Sequence, residues 1–178
     1  ISKDFSGYLK ERLPVTSEQI FVTSAPLCLD YAYTLPSRLD AEKRAALSYP
    51  PFEPQEPAGI SLSESMTRQI QRHDRLLSYP YESMAPFLRL LREAANDPAV
   101  ISIKITIYRL ASKAKLVDYL CEAAEHGKDV TAIIELRARF DELNNIDWSE
   151  RLEDAGCTVI YGFEDYKIHS KLCPVSYT

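Results

Sequence analysis

Residues 101–109 read ISIKITIYR, and isoleucine alternates with a polar or aromatic residue at nearly every step. Period two places Ile101, Ile103, Ile105 and Ile107 on one face of a pleated strand and Ser102, Lys104, Thr106 and Tyr108 on the other. Upstream, Ser83 is a candidate cap for a helix running to about Asn96, with Phe87, Leu88, Leu91 and Ala95 on one stripe and Pro98 as its stop. Downstream, a helix is predicted over about 113–126, with Leu116, Val117, Leu120 and Ala124 facing inward and Gly127 closing it in a left-handed turn. Val130–Leu136 (VTAIIEL) is the next strand. A helix over about 143–155 ends at Gly156, and CTVIYG (157–162) is a third strand. The alternation β-α-β-α-β predicts right-handed crossovers and a largely parallel sheet flanked by helices, an α/β fold. The run KIHSKLCPV (167–175) reads as a fourth strand, joined by the short loop FEDY and so expected antiparallel to the third. Pro174 lacks a backbone donor, which ends that strand or confines it to an edge.

The 178 residues are 46% hydrophobic and 26% charged. Those are globular proportions, and a chain of this size buries roughly 70% of its unfolded surface. No apolar run approaches the ~18 residues of a membrane span. The net charge of −5 argues against a general nucleic-acid coat but leaves room for a local basic pocket. Cys28, Cys121, Cys157 and Cys173 form no C-x-x-C pair and read as reduced thiols. Residues 1–20 hold no apolar core segment, so no secretory signal is visible, and the expected location is the cytoplasm. Four prolines within SYPPFEPQEPAG (48–59) mark the best boundary. Residues 1–57 are therefore expected to be the end of a preceding domain plus a linker, and residues 58–178 the α/β part. The start at Ile1 and the stop at Thr178 suggest a segment of a longer protein.

Arg109 ends the first predicted strand and Arg139 follows the second. Both are expected at the carboxyl edge of the sheet, where open α/β folds place ligands. Two guanidinium forks there would suit an anion with several oxygens; the competing reading pairs each with a local carboxylate, Asp141 or Glu142 for Arg139. His169 and Lys171 stand two apart on a predicted strand, so their side chains leave one face. An imidazole beside an ammonium suits phosphorus chemistry, in which a ring nitrogen attacks while the cation holds non-bridging oxygens; a half-exposed surface histidine is the plainer alternative. His73 and His126 read as structural or solvent-facing. No glycine-rich phosphate loop, H-E-x-x-H or G-x-S-x-G motif is present, so any phosphate would be held by side chains.

The ordered set RHDRLLSYPYES, KITIYR, VTAIIELRARFDE, RLEDAGCTVIYG and KIHSKL, with Arg109, Arg139 and His169 at steps of thirty residues, resembles the polyphosphate kinase family. The resemblance covers residues 68–173, and 10–57 are similar to the end of that family's head domain. It implies a phospholipase-D-like fold, truncated here within the first catalytic domain. It also implies reversible transfer of the ATP γ-phosphate to inorganic polyphosphate through a phosphohistidine at His169, with Lys171 as the lysine of H-x-K. Arg109 and Arg139 would lie at the site of phosphate and Mg²⁺; guanidiniums have no lone pair for the metal and are expected on the phosphate oxygens. ATP/ADP and polyphosphate are the implied partners, with self-association of the parent protein and room for peripheral membrane contact. The isolated piece is expected to be inactive. Two rival readings are a phospholipase-D-like phosphodiesterase, against which Ser176 stands where that class has an aspartate, and a non-catalytic fragment for polyanion binding or assembly.

Overall fold

The computed structural model describes residues 3–24, 27–111, 114–138 and 142–178. The chain divides into two compact units, Ile1–Phe52 and Glu53–Thr178. In the first, short helices α1 (Lys3–Arg12), α2 (Tyr31–Thr34) and α3 (Ala41–Leu47) alternate with irregular segments. None of its described residues is buried.

The second unit opens on the proline-rich stretch. Gln55 donates its N–H to the Tyr81 carbonyl at 2.8 Å and accepts the Ser83 N–H at 2.9 Å. Helix α4 (Met66–Arg72) follows, then α5 (Ala85–Asn96), β1 (Val100–Ile107), α6 (Lys115–Glu125), β2 (Asp129–Ile134), α7 (Glu142–Asp154), β3 (Thr158–Tyr161) and β4 (Val175–Tyr177). Ser83 sits just before α5; its hydroxyl accepts the Ala85 N–H at 3.2 Å, and Pro86 occupies the first turn, where no backbone donor is required. Helices α6 and α7 end alike. Gly127 and Gly156 take φ of 78° and 89°, and the residue after each glycine donates back across the last turn, Lys128 to Ala123 at 3.1 Å and Cys157 to Leu152 at 3.0 Å. Only glycine adopts that left-handed conformation without strain, which is why both helices stop where they do.

The strands assemble in the order β3-β2-β1-β4. β1 with β2 and β2 with β3 are parallel, while β4 is antiparallel to β1. The mixed, largely parallel sheet is the architecture expected from the β-α-β-α-β alternation. Ile103, Ile105 and Ile107 of β1 join Val130, Ala132 and Ile134 of β2 in one buried cluster with Leu91 of α5, Val117 and Leu120 of α6 and Leu152 of α7. Each isoleucine, leucine and valine among them contributes about 1.5–3 kcal/mol on burial. Cys121 and Cys157 lie in the same core and Cys28 is exposed; all four cysteines are free. Burial pushes the Cys157 and Cys173 thiols up to about 11.

The fourth strand corrects the hairpin expectation. It pairs with β1, at the opposite edge from β3. Regular pairing begins only at Val175, after Pro174, and the strand lies at an edge, as a missing backbone donor requires. Residues 162–168 do not turn back on β3 because their backbone groups are taken by side chains from the end of β2. Arg137 donates to the carbonyls of Phe163 and Glu164, each at 3.0 Å, and Glu135 accepts the Ile168 N–H at 2.9 Å. The chain is thereby led across the carboxyl end of the sheet to the outer edge of β1.

Glu93 of α5 serves α4. Its Oε2 accepts the Ser65 hydroxyl at 3.0 Å and the N–H groups of Met66 and Thr67 at 2.8 and 3.3 Å, while Oε1 takes Arg89 Nε at 2.8 Å. Partial burial raises this carboxyl's pKa, but the donors from Arg89, Ser65, Thr67 and Met66 outweigh it and hold the group below its ordinary 4.5. A depressed folded pKa gives stability that is complete above the unfolded value and lost as pH falls through the folded one. Glu93→Gln should therefore cost about 1 kcal/mol in urea unfolding at pH 7, and the two unfolding curves should converge well below pH 4.5. A difference that persists at acid pH would refute the role.

Candidate functional site

β1 ends at Ile107, and the next two residues, Tyr108 and Arg109, stand beyond the carboxyl end of the sheet. Their backbone is held from α7. Asn145, fully buried, donates Nδ2 to the carbonyls of Tyr108 and Glu135, each at 2.9 Å. Its neighbour Asn144 donates to the Leu110 carbonyl at 2.8 Å. Two successive helix amides thus close the ends of β1 and β2 together, satisfying carbonyls that the ladder has left behind.

Residues 170–174 run along the outer edge of β1 ahead of β4. Lys104 N–H donates to the Pro174 carbonyl at 2.9 Å and Thr106 N–H to the Leu172 carbonyl at 3.0 Å. One rung is made by a side chain: the Thr106 hydroxyl donates to the Ser170 carbonyl at 2.6 Å and accepts the Leu172 N–H at 2.9 Å. This substitution fixes the backbone on both sides of Lys171.

The result is a cluster around one aromatic ring. The His169 imidazole meets the Tyr108 ring edge-to-face, centroids 5.1 Å apart and planes at 75°. Lys171 Nζ lies 5.1 Å from the same centroid and Arg109 Cζ 5.4 Å. Both cations fall within the ~6 Å range over which a ring face attracts positive charge. Lys171 also donates to the His169 carbonyl. His169, Lys171 and Arg109 are all exposed. An imidazole flanked by an ammonium and a guanidinium on an open surface offers a ring nitrogen and two cationic donor groups, a set that suits phosphate oxygens.

The structure brings together three of the four residues singled out from the sequence. Arg139 lies outside the described residues. Among the described residues no group of three or more His, Cys, Asp or Glu side chains could hold a metal ion. The donor set around Tyr108 is cationic and aromatic, unlike the oxygen cage Mg²⁺ requires. These residues fit phosphate oxygens, not a resident metal. His126, at the end of α6, sets Nδ1 3.0 Å from the Ala95 carbonyl and has a structural place.

Sequence reasoning missed Tyr108, Glu135, Asn145 and Thr106. Tyr108 had the only visible signal, an aromatic immediately before Arg109. The others act through partners 33, 37 and 64 residues away along the chain, and no local pattern marks them.

The chain is similar to known proteins along most of its length. Residues 65–178 match the family model described as polyphosphate kinase C-terminal domain 1. A polyphosphate kinase of Exiguobacterium sibiricum is 39% identical over 97% of this chain, which covers 24% of that protein. One of Bacillus anthracis is 42% identical over 92% of the chain and 23% of the relative. The crystal structure of polyphosphate kinase from Porphyromonas gingivalis superposes with a TM-score of 0.63 at 34% identity, over 77% of this chain and 24% of that one. The chain thus spans about a quarter of the length of these relatives.

Thr106→Val keeps the shape and removes the hydroxyl rung. It should cost about 1 kcal/mol and speed hydrogen exchange at the Leu172 amide, leaving the Val130 amide protected as before. Unchanged exchange at Leu172 would refute the hydroxyl's part in holding this segment.

Proposed function

This chain belongs to the polyphosphate kinase family, and from that premise we propose that it carries the phosphohistidine centre of an ATP:polyphosphate phosphotransferase. In the first step the unprotonated ring nitrogen of His169 attacks the γ-phosphorus of Mg·ATP; an N–P bond forms, the bond to the bridging oxygen breaks, and ADP leaves. In the second, a terminal oxygen of polyphosphate attacks the same phosphorus, and His169 is regenerated. Mg²⁺ enters with the nucleotide as part of the substrate.

The observation that carries the proposal is the set of three around Tyr108: His169 edge-to-face at 5.1 Å, with Lys171 and Arg109 at 5.1 and 5.4 Å. Phosphoryl transfer asks little covalent chemistry of a protein beyond the nucleophile; positioning and neutralisation of the equatorial oxygens do most of the rest. Lys171 and Arg109 supply that here, and Arg139 is assigned the same task from its place in the ARFDE motif.

The reaction as a whole belongs to the longer protein. The 178 residues span about a quarter of the length of the relatives, so the isolated chain is proposed to lack turnover. Residues 1–57 are proposed as the end of a head domain and its linker, and 58–178 as the start of the first catalytic domain. No described helix is long and apolar enough to cross a membrane. A cytoplasmic location, self-association of the parent protein and peripheral membrane contact complete the proposal.

The test is to incubate the full-length protein with γ-labelled ATP and Mg²⁺. Wild type should acquire acid-labile, base-stable label that chases into polymer, and His169→Ala should acquire none. Equal label in the two proteins would move the nucleophile elsewhere. Arg109→Ala should label roughly 10²–10³ times more slowly, the scale of a lost transition-state donor.

A further inference from the structure

We propose that Glu135 is a positioning residue that sets His169 against the Tyr108 ring; its catalytic meaning rests on the function proposed above. By the alternation of β2, Val130, Ala132 and Ile134 face the core, and the following residue is expected to face outward. Glu135 is instead only 2% exposed. Burying a carboxylate is unfavourable unless its oxygens are met by donors, and here each is met by a backbone N–H. Oε1 accepts from Arg137 at 2.9 Å, within its own turn, and Oε2 accepts from Ile168 at 2.9 Å. Arg137 does not explain the burial, since its Nε stands 4.0 Å away on a mostly exposed side chain.

Ile168 directly precedes His169 and is itself buried. A hydrogen bond to its N–H therefore fixes the point from which the imidazole projects. The Glu135 carbonyl, in turn, shares Asn145 Nδ2 with the Tyr108 carbonyl. The contacts close a circuit from Tyr108 backbone through Asn145 to Glu135, across its carboxylate to Ile168, and from the His169 ring back to the Tyr108 ring. The sheet itself does not need this carboxylate: β2 is paired on both sides, and the Glu135 N–H is already given to the Ile107 carbonyl at 3.0 Å. Its long-range bond serves only the segment that carries the nucleophile.

Edge-to-face packing on Tyr108 gives the imidazole protons of His169 a ring-current shift, which reads position without any substrate. In the 178-residue chain, Tyr108→Leu should abolish that shift and so identify it. Glu135→Gln presents an amide donor to one of two N–H groups; it should move the His169 resonances most of the way toward the Tyr108→Leu values while the core amides stay dispersed. Ile103→Val, which loosens the core alone, should leave them in place. Glu135→Asp keeps both acceptor oxygens one methylene short and should give an intermediate shift, and it decides the question should the glutamine variant fail to fold. His169 resonances unmoved in the folded glutamate variants, or moved equally by Ile103→Val, would overturn the proposal. In the full-length protein Glu135→Gln should slow phosphoryl labelling of His169 at least tenfold and leave nucleotide binding intact. Absence of label in wild type would sink the function proposed above; wild-type labelling matched by Glu135→Gln would sink this one.

Discussion

The outer edge of β1 has to be paired, and the candidate site follows from how that is done. β1 is inner to the sheet, with β2 on one side, and its other side presents the N–H groups of Lys104 and Thr106, which water or another strand has to satisfy. The returning segment takes both, through the carbonyls of Pro174 and Leu172. Because this segment runs antiparallel to β1, the residues before it are delivered to the carboxyl end of the strand, where Tyr108 and Arg109 emerge. His169 and Lys171 reach Tyr108 for that reason, although some sixty residues separate them in the chain. Backbone hydrogen bonding, and not attraction between the functional side chains, brings the histidine to the arginine.

The two halves of this arrangement have opposite energetics. Ile103, Ile105 and Ile107 of β1 and the helix residues packed on them are buried and apolar, whereas Ile101 is exposed, so these three hold the strand without polar conditions. The carboxyl end is polar, with Glu135 and Asn145 buried and obliged to keep their partners. Such groups contribute little net stability and lose it sharply when one partner goes. They give direction instead: a loop bound at both ends by specific donors and acceptors has one arrangement, where an apolar contact would permit several. His169 and Lys171, exposed at the end of this loop, can then be presented to a ligand from a backbone that is already fixed.

Much of the fold was legible in the sequence because it rests on local pattern. Alternating isoleucines gave β1, the glycines at 127 and 156 gave the ends of α6 and α7, and the order of elements gave the parallel sheet. The partner of the last strand was not legible. A short loop between two strand-like runs favours a hairpin, and the reason it fails lies in Arg137 and Glu135, which bind residues 163–168 from across the chain. The site divides in the same way. His169, Lys171 and Arg109 could be named because their chemistry is visible in single residues and short motifs. Tyr108 as a shared platform, Thr106 as a rung and Glu135 as a clamp could not, since each is defined by where its partner ends up and not by what surrounds it in sequence.

A chain of net charge −5 that is proposed to act on polyanions needs its positive charge in one place. Lys171 and Arg109 meet at one such place, the Tyr108 ring. Lysine and arginine side chains brought close together repel, and an aromatic ring within reach of both offsets part of that repulsion. An aromatic face attracts both cations weakly and takes up none of their directional hydrogen bonds. Neutral in charge, the ring itself cancels none of their positive charge. A tyrosine suits this position because its ring draws the two cations to one place and leaves the hydrogen bonds a phosphate would need outside its own contacts.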